Sequence, residues 1–598
     1  MAGGLVQLIV YGSQDIFLTG TPQITFFKIL YRRHTNFAIE SVPQHLLGDL
    51  NFGNDSSAII DKIGDLMGKT YLEIEIPKID LLKNPSQWSL TQQDAERQFK
   101  QIEEYYRLLH AYVSVNTDIA RKIILLIRTN NITINDITNI ITNPNFIDNL
   151  INIRQQLQSY IAINSNFDNL INYFSSRSDL VQQINRTDVS KIFSSVIRST
   201  QNISNETEIR KKLLSAINTA YNELKEFYLQ IYKIFLEKEN IYQSFLNKTY
   251  HERYKSAWVE ELGHAIIDQL DIRIGNQLID RHTGDWLIIF NSLYLRSSQN
   301  NNYNKMIGNV NELTIFDDNV KNSYKIIIPF QFWFCRFTGL AIPLISLKYH
   351  DVMFNIRLKD LSKLFYVEDN LALSNITILQ SQYGINIESA RLYVDYIFLD
   401  TDERRRFAQS THEYLIEIVQ FNEFEDIAGN KYAAHLLFAH PTKFVVWFVQ
   451  PNQYRSNPTG SNKPQWNNFG TEPNKSGQTI ESLVLRINSY DRTDAHIGIK
   501  YYNNVQPYWY FRKTPSDGLY TYSFAIKPME HQPSAAINLS RIDDFSIYTN
   551  FTQRFVNIIN SNNIEGINTG AYMGVYAMSY NILRIMGGMA GLAFQNSS

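Results

Sequence analysis

The sequence contains a single cysteine, Cys335, so no disulfide can form within the chain and its stability has to come from packing. A reducing compartment such as the cytosol fits that composition. The sequence also lacks a basic excess, because 56 Lys and Arg residues nearly balance 58 Asp and Glu residues. A protein that works through phosphate contacts normally carries more positive charge. The balance argues against direct nucleic-acid binding.

Long apolar runs and common catalytic motifs are missing as well. No stretch of 18 uninterrupted apolar residues occurs, so no membrane-spanning helix is expected. Residues 1–15 lack the basic start and the long apolar core of a secretory signal. The glycine patterns of nucleophile elbows, phosphate-binding loops and dinucleotide-binding folds are absent. We therefore expect a protein that is not an enzyme and has no cofactor, no catalytic residues and no metal site.

The composition that is present favours β-structure in more than one domain. Of the 598 residues, 36 are Tyr and 35 are Phe, and aromatic side chains fit the half-buried surface of a pleated sheet. Residues 71–76 and 270–274 alternate strictly between apolar and polar, which is the period of a strand with one buried face. Further strand candidates are residues 325–330, 391–399, 443–449, 482–487, 520–526 and 545–551. Turn candidates between strands are residues 284–285, 457–460, 516–518 and 587–588. Short strands punctuated in this way predict antiparallel sandwiches.

Residues 88–255 have a different composition, with no glycine and only one proline, Pro144. Apolar residues recur there at steps of three and four between Ile209 and Phe235, which traces one face of a long helix. A second amphipathic stretch covers residues 98–128. The pattern predicts a helical insertion within a β-rich chain, and the apolar stripe is expected to form the seam of a helical bundle.

A short internal similarity suggests that the β-structure is duplicated. Residues 26–38 and 396–408 both contain an aromatic segment, then a basic cluster, then Phe-Ala. We interpret each as an aromatic strand followed by a basic turn, at equivalent positions in two similar domains.

Several longer blocks resemble the major capsid proteins of nucleocytoplasmic large DNA viruses, in particular those of giant viruses. The opening block, residues 12–37, begins Gly-Ser-Gln-Asp-Ile-Phe-Leu-Thr-Gly and ends Tyr-Arg-Arg-His-Thr-Asn-Phe. The later blocks follow in the order found in the family, at residues 258–286, 342–350, 393–407, 412–416, 532–541 and 580–584. The resemblance covers most of residues 10–80 and 256–598.

The resemblance implies an all-β fold of two tandem eight-stranded antiparallel jelly-roll sandwiches, with a large, mainly α-helical insertion in the first. The expected domains are an N-terminal arm (1–15), a first jelly roll (16–380, interrupted by the insertion 88–255) and a second jelly roll (384–598). As a major capsid protein, the chain would form pseudo-hexagonal homotrimeric capsomers that tile the icosahedral shell of a large double-stranded DNA virus. Expected partners are neighbouring capsomers, minor capsid or penton proteins and the internal membrane side of the shell. The expected location is the virion, after assembly in the host cytoplasm.

The chain departs from the family pattern in two places. Ala535 stands where a glycine is common, so the turn there is expected to differ. The insertion is much longer than the usual connection, which the resemblance assigns to the segment between the fourth and fifth strands of the first jelly roll. That connection faces outward in the family, so the helices are expected to lie on the outer surface of the capsomer.

The remaining candidate sites have simple structural interpretations. Cys335 lies in an aromatic stretch, residues 332–336, and is interpreted as a core residue of a strand. His264 is expected to pack or hydrogen-bond within a strand region, and the other histidines lack the spacing of a zinc site. The basic clusters at residues 32–34 and 404–406 are interpreted as solvated strand ends or ion pairs between subunits.

Asparagine sequons give the only modification candidates. Within the insertion they are Asn131, Asn185, Asn202, Asn205 and Asn247. A chain without a secretory signal is not expected to meet the glycosylation machinery, and a high asparagine content generates sequons by chance.

Two other functions stay open on the sequence alone. One is a jelly-roll spike or glycan-binding virion protein, and the other is a transient assembly scaffold of the same fold. A cupin-type enzyme would need a His/Glu metal cluster, which the sequence does not present.

Overall fold

The computed structural model describes residues 19–29, 31–128, 139, 144–163, 177–199, 206–368, 380, 383–455, 464–494, 497–560 and 570–594. The strands are β1 (Phe37–Gln44), β2 (Asp55–Ile59), β3 (Leu66–Ile76), β4 (Ser256–Trp258), β5 (Ile267–Ile274), β6 (Gln277–His282), β7 (Tyr324–Pro329), β8 (Val352–Leu358), β9 (Phe365–Val367), β10 (Ser389–Leu399), β11 (His412–Ile427), β12 (Lys431–His435), β13 (Pro441–Pro451), β14 (Ile480–Ile487), β15 (Tyr490–Asp491), β16 (Leu519–Ser523), β17 (Ile537–Asn538), β18 (Phe545–Phe551), β19 (Ala571–Met586) and β20 (Met589–Leu592).

Helices of very different lengths accompany these strands. They are α1 (Gln92–Arg128), α2 (Pro144–Ile163), α3 (Arg177–Thr187), α4 (Val189–Ser199), α5 (Glu206–Leu246), α6 (Leu262–Ala265), α7 (Gly284–Tyr294), α8 (Asn300–Met306), α9 (Asn311–Thr314), α10 (Trp333–Arg336), α11 (Leu361–Leu364), α12 (Thr401–Gln409), α13 (Asn452–Arg455), α14 (Gln506–Tyr510) and α15 (Gln553–Ile559). Short 3-10 turns occur at Pro85–Gln87, Ser297–Gln299, Thr338–Leu340, Leu344–Ser346 and Leu539–Arg541, and a π turn at Tyr501–Val505.

The chain divides into two compact units. The β-rich body comprises Met1–Leu81 and Tyr254–Ser598, and the helical unit comprises Leu82–Arg253. The long helices α1 to α5 all lie in the helical unit, so the change in composition at residues 88–255 corresponds to a change in structure.

The body contains four larger sheets, and every strand pair among the described residues is antiparallel. Two four-stranded sheets have the orders β1-β10-β3-β7 and β2-β8-β5-β6. A six-stranded sheet has the order β11-β19-β13-β16, with β17 added to β13 and β20 added to β19. A third four-stranded sheet has the order β12-β18-β14-β15, and β4 pairs separately with β9.

The pairing of β1 with β10 changes the interpretation of the internal similarity. Phe37 lies opposite Leu399 and Ala38 opposite Phe398, so parts of the two similar segments are neighbours in one sheet rather than equivalent parts of two domains. Residues 26–29 form no strand, and the second basic cluster lies in α12 rather than in a turn. The predicted structural repeat of these two segments is therefore wrong. The pairing also joins β10 to the strands that precede it, whereas the predicted boundary after residue 380 would separate them. We call β1 to β10 the first group of strands and β11 to β20 the second group, because no sheet contains strands from both.

Two local predictions are wrong. Trp333–Arg336 form the single helical turn α10 rather than part of a strand, and the consecutive aromatic residues Phe332, Trp333 and Phe334 are all buried there. Gly284 and Asp285 begin helix α7, where the Thr283 hydroxyl accepts a hydrogen bond from the Trp286 amide (3.2 Å). Only glycine fits at position 284, because a Cβ there would lie 2.4 Å from the carbonyl oxygen of His264.

The helical unit has its own apolar core. Helix α1 packs between α2 and α5, and the buried residues of α5 include Leu213, Ile217 and Leu224 from the predicted stripe. Asn116 on α1 joins the smaller helices to this core, because its amide donates to the carbonyl oxygen of Thr187 (2.7 Å) and accepts from the amide of Val189 (3.1 Å). Among the described strands the unit follows the third, β3, and precedes β4, whereas the prediction placed it between the fourth and fifth strands of the first jelly roll.

Candidate functional site

The sheet containing β11, β19, β13 and β16 separates two apolar cores. Along β13, Val445 and Trp447 belong to a core shared with β14 and β18, whereas Phe444, Val446 and Phe448 belong to a core shared with the first group of strands. Burial on both faces explains the continuous apolar sequence of this strand. We call the surface where this sheet meets the first group of strands the seam, because it determines whether the β-rich body behaves as one rigid block.

Aromatic rings cross the seam at its apolar centre. The ring centroids of Trp286 on α7 and Tyr576 on β19 lie 5.7 Å apart, and the rings are stacked. The Tyr576 hydroxyl also lies 3.1 Å from the hydroxyl of Thr283. Burial raises the pKa of Tyr576 well above its usual range, so this phenol stays neutral and can donate a hydrogen bond.

A buried carboxylate on β6 holds the backbone of β11. Oδ1 of Asp280 accepts a hydrogen bond from the Val419 amide (2.9 Å), and Oδ2 lies 3.1 Å from Nε2 of His282. The His282 ring stacks on Phe332, with centroids 4.3 Å apart. Because Asp280 and His282 have almost no solvent exposure, these contacts fix the register between the two groups of strands.

A second buried cluster joins α10 to β11 and β13. Glu417 is only 1% exposed, and its oxygens lie 2.6 Å from Nζ of Lys443 and 2.8 Å from a terminal nitrogen of Arg336. Burial would raise the pKa of Glu417, but Arg336, His531 and Lys443 outweigh it and hold the pKa near 2. The carboxylate is therefore charged and paired at neutral pH.

A third cluster joins α7 to α13. A terminal nitrogen of Arg455 lies 2.8 Å from Oδ2 of Asp285, and its guanidinium lies 4.0 Å from the ring centroid of Tyr572. Burial opposes ionisation of Asp285, but Arg455 and Lys359 lower its pKa below the usual value. This pair and the two preceding clusters give the seam fixed polar contacts within an apolar surface.

The charged side chains of these clusters are paired with one another inside the protein, which suggests that they serve to hold the structure together. Burial raises the pKa of the Cys335 thiol to about 12, which disfavours the reactive thiolate at neutral pH. Among the described residues, no three His, Cys, Asp or Glu side chains lie together in a way that could hold a metal ion. None of the described helices has the length and hydropathy that a bilayer span requires.

Sequence reasoning missed the residues of the seam. Asp280 and His282 lie inside one of the blocks that resemble the family, but nothing in their spacing indicates a bond to a strand more than a hundred residues away. Glu417 belongs to an alternating strand, and alternation alone would place it in solvent. The pairing of distant elements determines these contacts, and a single sequence carries no direct signal for it.

The candidate residues singled out in the sequence are dispersed. His264 is buried in α6, not in a strand, and its ring nitrogens lie 3.2 Å from a carboxylate oxygen of Glu261 and 2.7 Å from the hydroxyl of Tyr303. The histidines at 251, 412 and 435 make separate local contacts with Trp88, Phe407 and Asp544. Their separation argues for structural roles.

The two basic clusters differ from the prediction in structure but not in exposure. Residues 32–34 are exposed and belong to no strand or helix, and residues 404–406 are exposed on α12. Arg404 pairs within the chain, because its Nε lies 2.8 Å from Oδ1 of Asp65. An ion pair within the subunit therefore accounts for one member of the second cluster.

Only two of the five sequons in the insertion lie in the described residues. Asn185 is half-buried on α3, where its side-chain oxygen accepts hydrogen bonds from Gln158 and Lys191. Asn247 is exposed in the turn after α5. Asn131, Asn202 and Asn205 lie outside the described residues, as does the predicted arm at residues 1–15.

Comparison with known proteins gives consistent similarities along the chain. Residues 403–591 match the family model described as the large eukaryotic DNA virus major capsid protein. Residues 25–93 and 230–400 match the model of the major capsid protein N-terminus. The matched ranges omit residues 94–229, which lie within the helical unit.

Complete relatives and solved structures agree with the family models. The major capsid proteins of Phaeocystis pouchetii virus and Chrysochromulina ericina virus are 27% and 26% identical to the chain, in alignments that cover all of both proteins. The structure of VP54 from PBCV-1, fitted into a reconstruction of the virophage Sputnik, is 23% identical with a TM-score of 0.56 and covers 96% of this chain and 100% of its own. The Faustovirus major capsid protein is 9% identical with a TM-score of 0.54 and covers 96% of this chain and 94% of its own. The likeness shows that the body shares the fold of the double jelly-roll capsid proteins.

Major capsid proteins are structural components of the virion, and the paired charges of the seam suit a structural role. The matches to both family models, the full-length relatives and the shared fold together show that the chain belongs to the major capsid proteins of large eukaryotic DNA viruses.

Proposed function

We propose that the body consists of two tandem eight-stranded jelly rolls, with a boundary between β10 and β11 rather than after residue 380. The observation that carries this proposal is a repeated strand order. Strands β4 and β9 of the first group, and β17 and β20 of the second, are left out of this comparison. When the eight remaining strands of each group are numbered in chain order, one sheet of each group has the order first-eighth-third-sixth. The other sheet of each group has the order second-seventh-fourth-fifth. Two sheets with this order facing each other form a jelly roll.

Three copies of the chain associate as a homotrimeric capsomer with a pseudo-hexagonal outline, and capsomers tile the icosahedral shell. Two jelly rolls fixed side by side give each subunit two similar lateral faces, so a threefold assembly presents six. The trimer interface is of the obligate kind and buries on the order of 2,000 Å² or more. The function is mechanical and not enzymatic, and the rigid seam supports it.

The helical unit forms an outward-facing crown of the capsomer. Support comes from its separate core and from the family model, which does not match residues 94–229. A unit with its own core can be inserted into one connection between two strands without altering the sheets that form the shell.

Further partners of the assembled capsomer are neighbouring capsomers, minor capsid or penton proteins and the membrane side of the shell. Assembly takes place in the host cytoplasm, which suits a chain with a single cysteine. The N-terminal residues 1–12 contact proteins beneath the shell. Deletion of residues 2–10 should leave trimers intact but impair shell assembly, and loss of the trimer itself would contradict this role.

The oligomeric state tests the proposal directly. Light scattering coupled to size-exclusion chromatography should give three times the chain mass at all accessible concentrations, and negative-stain images should show hexagonal outlines. A monomer or a dimer would contradict the capsomer. Mass spectrometry of purified virions separates a shell protein from a transient scaffold, and a glycan array separates it from a glycan-binding spike.

A further inference from the structure

The fold brings together the two basic clusters that the sequence analysis singled out. Phe37, the first residue of β1, lies opposite Leu399, the last residue of β10. The cluster at residues 32–34 comes just before this pair in the chain, and the cluster at residues 404–406 comes just after it. Clusters separated by some 370 positions in the sequence therefore flank one end of the same strand pair.

Positive charge at this end comes mainly from the segment that precedes β1. Between residues 19 and 39 the sequence contains Lys28, Arg32 and Arg33 but no acidic residue. On α12 the charges nearly cancel, because Asp402 and Glu403 precede the three arginines. Arg404 is engaged by Asp65, whereas Arg405 and Arg406 are exposed and form no ion pair within the described part of the chain.

Large apolar side chains are exposed beside these cations. The exposed fractions of Phe26, Phe27 and Tyr31 are 89%, 99% and 85%, and about half of the Phe37 side chain is also exposed. Such a concentration of exposed aromatic residues marks a surface that is covered in the working state.

The apolar surface continues onto neighbouring elements. The Ser346 hydroxyl donates to the carbonyl oxygen of Phe407 at the end of α12 (2.7 Å), and the Tyr349 amide donates to the carbonyl oxygen of Gly588 (3.0 Å). These bonds place the hairpin between β19 and β20 next to the segment that carries α12. Tyr349 and the hairpin residue Met586 are 76% and 58% exposed.

We propose that this cationic, apolar end of the body binds the surface of an anionic lipid bilayer. We call it the basal patch and define it as residues 26–29 and 31–37, Tyr349, residues 404–406 and Met586. Aromatic and Met side chains enter the interfacial layer of a bilayer, while Lys and Arg attract anionic head groups. Duplex DNA offers the same negative charge but no apolar layer to cover the phenylalanines. The inference rests on the proposed function and specifies its contact with the membrane side of the shell.

Vesicle flotation with the full-length trimer tests the basal patch. The probes are extruded vesicles of phosphatidylcholine alone, or of phosphatidylcholine with one third phosphatidylserine. The double variants Phe26→Ser/Phe27→Ser and Arg405→Glu/Arg406→Glu alter the patch. Matched controls are Tyr508→Ser/Trp509→Ser, which removes another largely exposed aromatic pair, and Lys211→Glu/Lys212→Glu, which reverses exposed charges on α5.

The wild-type trimer should float with the phosphatidylserine vesicles, bind phosphatidylcholine alone at least tenfold more weakly and dissociate as salt is raised. Each patch variant should bind at least tenfold more weakly than wild type, and each control within twofold. Equal binding by patch and control variants, or a trimer that binds duplex DNA but not vesicles, would overturn the inference.

Light scattering on every variant distinguishes this result from a failure of the proposed capsomer. Patch variants that remain trimeric but lose vesicle binding support the inference. Patch variants that fall apart into monomers would overturn it, because the patch would then be a subunit interface. A wild-type chain that is itself monomeric contradicts the capsomer, whatever its behaviour with vesicles.

Discussion

Glu417 and Lys443 form a buried ion pair in the seam between the two groups of strands. Nζ of Lys443 lies 2.6 Å from a carboxylate oxygen of Glu417, and both side chains are only 1% exposed. A second cation, Arg336 from α10, lies 2.8 Å from the other oxygen. One carboxylate therefore balances cations from both groups of strands.

Replacing Glu417 by Gln should destabilise the body strongly. The variant leaves Lys443 and Arg336 buried without a counter-charge, and the loss of one partner of a buried pair costs about 3–5 kcal/mol. Thermal unfolding followed by fluorescence should show a melting temperature several degrees lower. Glu413→Gln is a matched control on the same strand, because Glu413 pairs with Arg584 at 2.8 Å but both are about half exposed. That variant should cost about 1 kcal/mol or less. Equal losses in the two variants would contradict a special role for the seam.

The contribution of Glu417 should depend on pH in a defined direction. Burial alone would raise its pKa, but Arg336, His531 and Lys443 lower it from 4.5 to about 2. A carboxylate whose pKa is lowered by folding stabilises the native state fully above its unfolded pKa, and that stabilisation is lost as the pH falls towards the folded pKa.

Melting temperatures of the wild type and Glu417→Gln should therefore converge as the pH is lowered from 5 towards 2. Above pH 5 the difference between them should stay constant until other groups titrate. Measurement of both proteins across the same buffer series provides the test. A difference that widens on acidification would show that the charged form of Glu417 does not supply the stability.

Ala535 occupies a backbone conformation that suits glycine. Its φ angle is +95°, in the left-handed region where a Cβ is strained, and its side chain is exposed. Glycine adopts a backbone of this kind without strain.

Ala535→Gly should stabilise the body by about 1 kcal/mol, because relief of 1–3 kcal/mol of strain exceeds the 0.4–1 kcal/mol entropic cost of glycine in the unfolded chain. The neighbouring exposed Ala536 has no positive φ angle, so Ala536→Gly should destabilise slightly. Chemical denaturation of both variants gives the comparison. A loss of stability in both would show that no strain is stored at Ala535.

Local patterns in the sequence predict much of the regular structure. All eight strand candidates overlap observed strands, and residues 545–551 match β18 at both ends. Strands such as β3, β7 and β14 have one buried and one less buried face, so alternation reports them, whereas β13 is buried on both faces and is marked by its continuous apolar sequence. The long helices α1 and α5 were likewise predictable, since an apolar stripe over roughly seven turns has no other simple explanation.

Features that depend on distant contacts could not be predicted in the same way. The turn α10 forms because three consecutive aromatic side chains all find space in the core, and that space is made by elements elsewhere in the chain. The similarity between residues 26–38 and 396–408 does not mark a structural repeat for a related reason, because residues 37–38 pair with residues 398–399 in one sheet. The pairings in the seam depend on topology, which the family resemblance supplies and local periodicity does not.

The helical unit should be removable without loss of the body. Its two ends meet at adjacent body residues, since the amide of Tyr254 donates to the carbonyl oxygen of Leu81 (2.9 Å). Ile79 and Lys321 also exchange two backbone hydrogen bonds (2.7 and 3.0 Å), which hold the chain between the end of β3 and this junction. A Gly-Ser-Gly-Ser linker can therefore replace Leu82–Arg253 without straining the sheets.

The shortened chain should remain trimeric and melt within roughly 3 °C of the full-length protein, because none of the described residues of the removed unit belongs to the apolar core of the body. The isolated segment Leu82–Arg253 should in turn give a helical circular dichroism spectrum and a cooperative melt, since it retains its own core. Light scattering and thermal unfolding of the three proteins measure both expectations. An aggregated or monomeric body would show that the helices are needed for folding or for trimer formation, and would contradict their description as a separate crown.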